Sequence, residues 1–321
     1  MKIRINPIIK KDLQVTARSM RLSWGLFAYE VVLTLAFLLA LAIIQADNNS
    51  YYSSNNIYSY LIYLFPVQAV VQAFIVVLIV PIITAPAISG EKERQTFDIM
   101  LTTCMSPFSI VVGKVISAVI RILFFVVAGM PIMALAFVIG GLEWSSLLYF
   151  ILAIILLSVF SGSIGICCSS FCHRSIVAVV LSFAIYFVIY VLTFVPLILS
   201  FLWTKGERAG ESMLFLLINP GVFFEEFFMQ IMTGESIFGV AGSNFNRNEV
   251  GFFTYHLSQG KTWMFLSAAC ILVLAILFMI VAAWRVNPMH SSSKNISRRK
   301  STQNKKTSKK DQSFVKEDSS F

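Results

Sequence analysis

The sequence predicts an all-α membrane protein with six transmembrane helices, and three observations support this prediction. Of the 321 residues, 57% are hydrophobic and 13% are charged, whereas a soluble domain is about one quarter charged. Six apolar stretches have about the 20 residues that a helix needs to cross a bilayer. None of them alternates apolar and polar residues with period two, as the strands of a membrane β-barrel do. These observations exclude a soluble enzyme and a mainly disordered chain.

The chain begins with a basic segment, residues 1–23, that also carries four isoleucines: Ile3, Ile5, Ile8 and Ile9. We predict an amphipathic segment on the cytoplasmic membrane surface, where its bases attract anionic lipid headgroups. Span 1 follows as Trp24–Ile44. It exceeds the roughly 7–15 apolar residues of a signal-peptide core, so we expect it to be retained.

The other spans are separated by polar loops and turns. They are Leu61–Ile88, Val111–Ile139, Ser145–Phe171, Ile176–Trp203 and Thr262–Trp284. The Lys/Arg distribution orients them, because cytoplasmic loops carry an excess of these residues. Six bases precede span 1 and ten lie from Arg285 onwards, whereas residues 45–60 and 140–144 have none. We therefore predict that both termini are cytoplasmic and that residues 24–284 form one six-helix transmembrane domain.

The loop between spans 2 and 3, residues 89–106, is charged at its start and amphipathic afterwards. Four apolar residues are spaced for one face of a helix: Phe97, Met100, Leu101 and Cys104. Four polar residues are spaced for a different face: Glu91, Arg94, Gln95 and Asp98. Ser106-Pro107 is typical of an N-cap followed by proline at the first helical position. The pattern predicts a short helix on the cytoplasmic surface, which either packs the loop down or contacts a partner.

Three motifs resemble those of ABC-2 type transporter permeases. Gly90–Thr96, followed by Ser106-Pro107 and Val112-Gly113-Lys114, is similar to the family's GEKERGT motif and the steps after it. Gln95 stands where the family has glycine. We expect this difference to be minor, because a helix interior tolerates glutamine better than glycine. The segments Asn6–Leu13 and Leu217–Pro220 resemble two further family motifs.

The resemblance implies six helices per subunit, two subunits per transporter and a separate cytoplasmic ATP-binding cassette ATPase. The second subunit is another copy or a paralogue. The loop between spans 2 and 3 is then a coupling helix in a cleft of the ATPase. The implied contact residues are Glu91, Lys92, Glu93, Arg94, Phe97, Met100 and Leu101. The sequence has no Gly-x-x-x-x-Gly-Lys-Ser/Thr motif, so we expect no cofactor in this chain and ATP bound by the partner subunit.

Four polar residues inside the predicted spans are candidates for a functional role. Glu30 and Arg121 are each about 9 Å from the cytoplasmic end of their span. We expect them to form an ion pair, or each to reach the headgroups separately. Gln68 and Gln72 share one face of span 2, where they either line a substrate path or hydrogen-bond between helices.

Span 4 has small residues at four-residue intervals: Ser158, Ser161, Gly162 and Gly165. This spacing predicts close helix packing within or between subunits. The stretch Cys167–His173 contains metal-type ligands, and Cys168 and Cys172 share one helical face. His173 does not share the helical face of the two cysteines, so we expect packing and no metal site.

Two polar segments complete the chain. Within the predicted extracellular segment 204–261, the phenylalanine-rich stretch Gly221–Met232 predicts an interfacial or re-entrant helix. Residues 285–321 carry ten bases, three acids and few apolar residues, which predicts a disordered basic cytoplasmic tail. The net charge of +9 is mainly this tail, so we expect it to attract membrane lipids and not nucleic acid.

We therefore expect a multi-pass permease subunit of an ATP-driven exporter in the plasma membrane of a bacterium. Two other classes stay open: an ATPase-independent secondary transporter or channel, and a membrane scaffold or sensor without transport. A secondary transporter is expected to show an inverted repeat, which is not visible between residues 1–140 and 141–284. No arrangement of catalytic residues is visible, so we expect the chain itself not to be an enzyme.

Overall fold

The computed structural model describes residues 20–50, 61–96, 107–141, 143–204, 212–232, 234, 236 and 261–286. All regular structure in these residues is helical. Six helical segments are long and apolar enough to cross a membrane: Leu22–Ala46, Leu64–Glu93, Phe108–Gly140, Trp144–Phe171, Ser175–Ser200 and Thr262–Val286. The prediction of an all-α protein with six transmembrane helices is confirmed.

Four predictions concern residues outside this set. They are the amphipathic N-terminal segment up to residue 19, the apolar face of Phe97, Met100 and Leu101, the polar stretches 205–211 and 237–260, and the basic tail after residue 286.

Spans 1 to 3 are formed by α1 (Met20–Ser50), α2 (Leu64–Thr84), α3 (Pro86–Glu93) and α4 (Pro107–Gly140). Span 2 is divided because Pro86 has no N–H to donate to the preceding turn, and it therefore starts a new helix. The helix α3 extends to Glu93, five residues beyond the predicted boundary at Ile88.

Spans 4 to 6 begin with α5 (Trp144–Phe171) and α6 (Ser175–Phe187). A π-helical turn, Val188–Leu192, separates α6 from α7 (Val195–Thr204). A 3₁₀ helix (Leu214–Ile218) then leads into α8 (Pro220–Met232), and α9 (Thr262–Val286) forms span 6. The predicted helix at Gly221–Met232 is thus present as α8.

The helix α5 lies at the centre of the bundle. In its most apolar stretch 72% of the residues are buried, against 17% in spans 1, 5 and 6. Its small residues bring it close to α2, because a Cβ on Gly165 would overlap Thr84 Oγ1 and lie 3.0 Å from Thr84 Cβ. At Gly162 a Cβ would have ordinary contacts of 3.7 to 3.9 Å. Ser158 and Ser161 are also buried.

The break in span 5 is held by α8. Asn219 donates from Nδ2 to Tyr190 O at 3.0 Å and to Thr193 Oγ1 at 2.8 Å. Its Oδ1 accepts the N–H of Gly221 at 2.8 Å. The phenylalanines of α8 are buried in the protein core: Phe223, Phe224, Phe227 and Phe228. The side chain of Asn219 therefore satisfies a backbone carbonyl in the π-helical turn and ties α8 to span 5.

The helix ends form two groups. At one end, which we call the Gly90 end, α3 contacts Ser169 and Lys114. At the other, the Gly141 end, Gly140 approaches the backbone of Leu61 and Ile62. Five bases lie at the Gly90 end: Lys92, Arg94, Lys114, Arg174 and Arg285. By the Lys/Arg rule this end is predicted to be cytoplasmic.

Candidate coupling site

The candidate site is the C-terminal turn of α3, where three consecutive charged residues contact three different helices. Glu91 contacts α4, Lys92 contacts the end of α5, and Glu93 contacts the start of α6. The position of α3 is fixed from its other end by Ser169, whose Oγ accepts the N–H groups of Ile88 and Ser89 at 2.9 and 2.8 Å. These N–H groups lie in the first turn of α3, where a helix supplies no partner of its own.

The end of α3 is a left-handed turn. Gln95 has φ +58°, a backbone conformation that favours glycine. The N–H of Thr96 donates to Glu91 O at 3.0 Å, and the N–H of Gln95 donates to Lys92 O at 3.2 Å. This pair of bonds is the Schellman arrangement that ends many helices.

Two expectations from the sequence are therefore wrong. Gln95 is not in a helix interior, so its replacement of the family's glycine is not minor. The predicted polar face is also interrupted within the described residues, because the helix ends at Glu93 and Arg94 and Gln95 lie in a turn. The sequence signal that could have corrected both is the family's glycine itself, which is typical of the position after a helix.

Lys92 and Glu93 each meet a helix terminus of opposite partial charge. Lys92 Nζ donates to the carbonyl of Ser170, in the last turn of α5. Glu93 Oε2 accepts the Ser175 N–H at 3.3 Å and the Ser175 Oγ–H at 2.8 Å, at the first residue of α6. A cation at a helix C-terminus and an anion at an N-terminus are the favourable combinations with the helix dipole.

Glu91 forms an ion pair with α4. Its Oε1 lies 2.9 Å from Lys114 Nζ, and the side chains are 29% and 9% exposed, respectively. Lys114 and the serines 169, 170 and 175 were not predicted to be parts of the site. Lys114 lies in the Val112-Gly113-Lys114 step of the family motif, whereas the only sequence signal of the serines is that they are polar residues at the ends of apolar spans.

The surface beyond these contacts is polar. Arg94, Gln95 and Thr96 are exposed, as are His173 and Arg174 in the short connection between α5 and α6. Gly90 lies opposite this connection, with the position of a Cβ 3.5 Å from Ser175 Oγ. The Gly90 end therefore presents two adjacent exposed turns, one from each pair of spans.

The predicted ion pair of Glu30 and Arg121 stays a prediction that the helix register does not favour. Phe125 packs beside Tyr29, with ring centroids 5.5 Å apart, and Gly129 lies against Tyr29 and Leu33. Glu30 is thus level with Gly129, about 12 Å along α4 from Arg121.

Gln68 and Gln72 are both fully buried inside the subunit. Gln68 Nε2 donates to Leu33 O of α1 at 3.1 Å, which is a hydrogen bond between helices. The side-chain amide of Gln72 has no hydrogen-bond partner within the described part of the chain. Their role in lining a substrate path stays a prediction.

A cavity of about 300 Å³ lies at the Gly141 end, between α5, α8 and α9. Its polar lining includes Glu143, Tyr149, Gln230 and Lys261, and its apolar lining includes Phe227. This cavity is on the side of the bundle away from the candidate coupling site.

Six helices that are long and apolar enough to cross a membrane define the class as a multi-pass membrane protein. The family model described as ABC-2 family transporter protein matches residues 6–287, and the chain belongs to this family. It is therefore a transmembrane permease of an ABC transporter, a transport component that is not itself catalytic. Permeases of this family generally work with an ATP-binding subunit. A comparison with curated proteins found no match.

Proposed function

We propose that this permease couples a separate cytoplasmic ATP-binding cassette ATPase to substrate export across the plasma membrane of a bacterium. It acts as a dimer with a second copy or a paralogue, and ATP binds to the partner subunit. The observation that carries the proposal is the exposed turn Arg94–Thr96, which follows directly on residues anchored to three helices.

Such a turn is suited to transmit force. A movement of the turn is passed to α3 through the backbone and to other helices through the contacts of Glu91, Lys92 and Glu93. Packed helices respond to such a movement as rigid bodies that switch between discrete arrangements.

The charges at this surface favour an acidic partner. The carboxylates of Glu91 and Glu93 are engaged by Lys114 and Ser175 within the chain. Ser175 does not neutralise Glu93, which is exposed, but the exposed Arg94 and Arg174 outnumber it, so the net accessible charge of the two turns is positive. Complementary charge mainly increases association rate and specificity. We expect an acidic cleft on the ATPase and anionic lipid headgroups around it.

The experiment compares two charge reversals in the tagged full-length protein, purified from its native membranes with its associated proteins. Arg94→Glu is expected to reduce co-purification of the ATPase by about tenfold, because it would place a negative charge against the proposed acidic cleft. Lys261→Glu at the Gly141 end is the matched control and is expected to leave co-purification unchanged. Equal recovery of the ATPase with both variants would contradict the proposed docking surface.

A further inference from the structure

We infer that Lys92 and Glu93 connect the coupling turn to spans 4 and 5, so that movement of the turn reaches four spans and not only the two that it joins in sequence. We call the two side chains and their partners Ser170 and Ser175 the helix-end clamp. The inference rests on the proposed function, because it concerns what the ATPase moves.

The first half of the clamp is at the end of α5. The last carbonyl groups of a helix have no partner within it, and a cation is favoured there. The helix α5 ends at Phe171, and its Ser170 carbonyl accepts a hydrogen bond from Lys92 Nζ. Lys92 is only partly exposed, so this contact is screened less than one on the open surface.

The second half of the clamp is at the start of α6. The residue before this helix is Arg174, which makes no side-chain capping bond because a guanidinium has no acceptor atom. Glu93 Oε2, on α3, supplies the capping acceptor instead, because it accepts both the N–H and the Oγ–H of Ser175. A charged acceptor at an N-terminal N–H makes one of the stronger types of hydrogen bond.

The order of the two residues matches the geometry. Three residues, 172–174, separate α5 from α6, so the negative end of one helix and the positive end of the next are adjacent. Lys92 and Glu93 are also adjacent, and each charge meets the helix end that favours it. Exchanging the two residues would keep the net charge and the composition of α3, but it would place each charge against the wrong helix end.

Gly90 lies at this close approach. A Cβ at this position would make an ordinary van der Waals contact with Ser175 Oγ at 3.5 Å, so α3 packs closely against the start of α6. The contacts are therefore part of a close packing between α3 and the α5–α6 connection.

The test measures hydrogen–deuterium exchange in the purified complex of the full-length permease and its ATPase, with and without ADP and vanadate. Two regions are followed: residues 107–115 at the start of α4 and residues 172–180 at the start of α6. In the wild-type complex we expect both regions to change exchange when the nucleotide is trapped. In the exchanged variant Lys92→Glu with Glu93→Lys, we expect the change at 172–180 to fall about fivefold or more, and the change at 107–115 to persist.

Two further variants complete the test. Glu143→Lys with Lys261→Glu makes an equivalent charge exchange at the Gly141 end and is expected to behave as wild type. Lys92→Ala with Glu93→Ala removes both contacts but keeps good helix formers in α3, so it replaces the exchanged variant if that variant does not fold. It is also expected to lose the response at 172–180. A full response at 172–180 in a clamp variant that still binds the ATPase would overturn the clamp. Absence of any response in the wild-type complex would instead overturn the proposed function, and the clamp with it.

Discussion

Replacing Gln95 with glycine should stabilise the end of α3. Gln95 has φ +58°, and the left-handed conformation costs a residue with a Cβ about 1–2 kcal/mol. Glycine avoids this cost, but it loses more conformational entropy on folding, by about 0.5–1 kcal/mol. The difference predicts a net stabilisation of the turn by about 0.5–1 kcal/mol, which corresponds to a factor of about two to five in a local opening equilibrium.

The assay is amide hydrogen exchange at Thr96, whose N–H is bonded to Glu91 O across the turn. Because exchange of this N–H requires the turn to open, Gln95→Gly should slow it by the same two- to fivefold. Gln95→Asn should have a smaller effect, because asparagine tolerates the left-handed region better than other residues with a Cβ.

The control is Gln95→Ala, which distinguishes the observed turn from a helix interior. In a left-handed turn alanine gains nothing over glutamine, whereas in a helix interior alanine is the best residue and glycine among the worst. Exchange at Thr96 that is slowest with alanine and fastest with glycine would refute the turn and the physical reason given for it.

Three other predictions follow from the structure and the sequence. Gly165→Ala should destabilise the bundle by about 1–3 kcal/mol through overlap with Thr84, as measured by thermal unfolding in detergent. Adding Thr84→Ala should restore part of the lost stability. Gly162→Ala, where the contacts are 3.7 Å or more, should reduce the stability less. Equal effects at the two glycines would show that the α2–α5 approach is wrong. Phe97→Asp with Met100→Asp should abolish recovery of the ATPase in co-purification if these residues are its apolar contacts, and unchanged recovery would remove them from the site. If Glu30 and Arg121 pair, the double change to glutamine should assemble better than the worse single change; no improvement, measured by the yield of folded protein, would exclude the pair.

The transmembrane architecture is predictable from the sequence because it depends on apolar length, which is a local property. Proline removes a backbone donor wherever it lies, but this alone does not place the interruption at Pro86, because Pro81 and Pro131 lie inside continuous helices. The extension of the helix to Glu93 is not predictable either, because the apolar pattern of span 2 stops at Ile88 and Gly90 disfavours a helix interior. The extended helix contacts Ser169, Ser170 and Ser175, which lie about 80 positions away in the chain.

The same limit applies to the other interactions at helix ends. The π-helical turn at Val188–Leu192 has no local sequence signal, and its partner Asn219 lies in a different segment. Lys114 could be placed at a membrane interface from its position, but its pairing with Glu91 requires the relative positions of α3 and α4. Contacts between distant residues decide these features, and a single sequence does not show them.

The resemblance to a family supplied what the pattern of residues did not. It correctly indicated a permease, and the match over residues 6–287 establishes the family. It also named Glu91, Lys92 and Glu93 as contacts of a partner, whereas in this structure their charged groups bind other helices of the same chain. In our proposal, Arg94 and the residues after it are therefore the primary contacts with the ATPase.

The central claim is that the turn at the end of α3 is where an ATPase docks, and site-specific photo-crosslinking tests it most directly. A benzophenone amino acid at position 94, in the full-length protein in its native membranes, should give a crosslinked product that contains an ATP-binding cassette ATPase. The same probe at position 261, at the Gly141 end, should not. An ATPase captured from position 261, or none captured from position 94, would contradict the account.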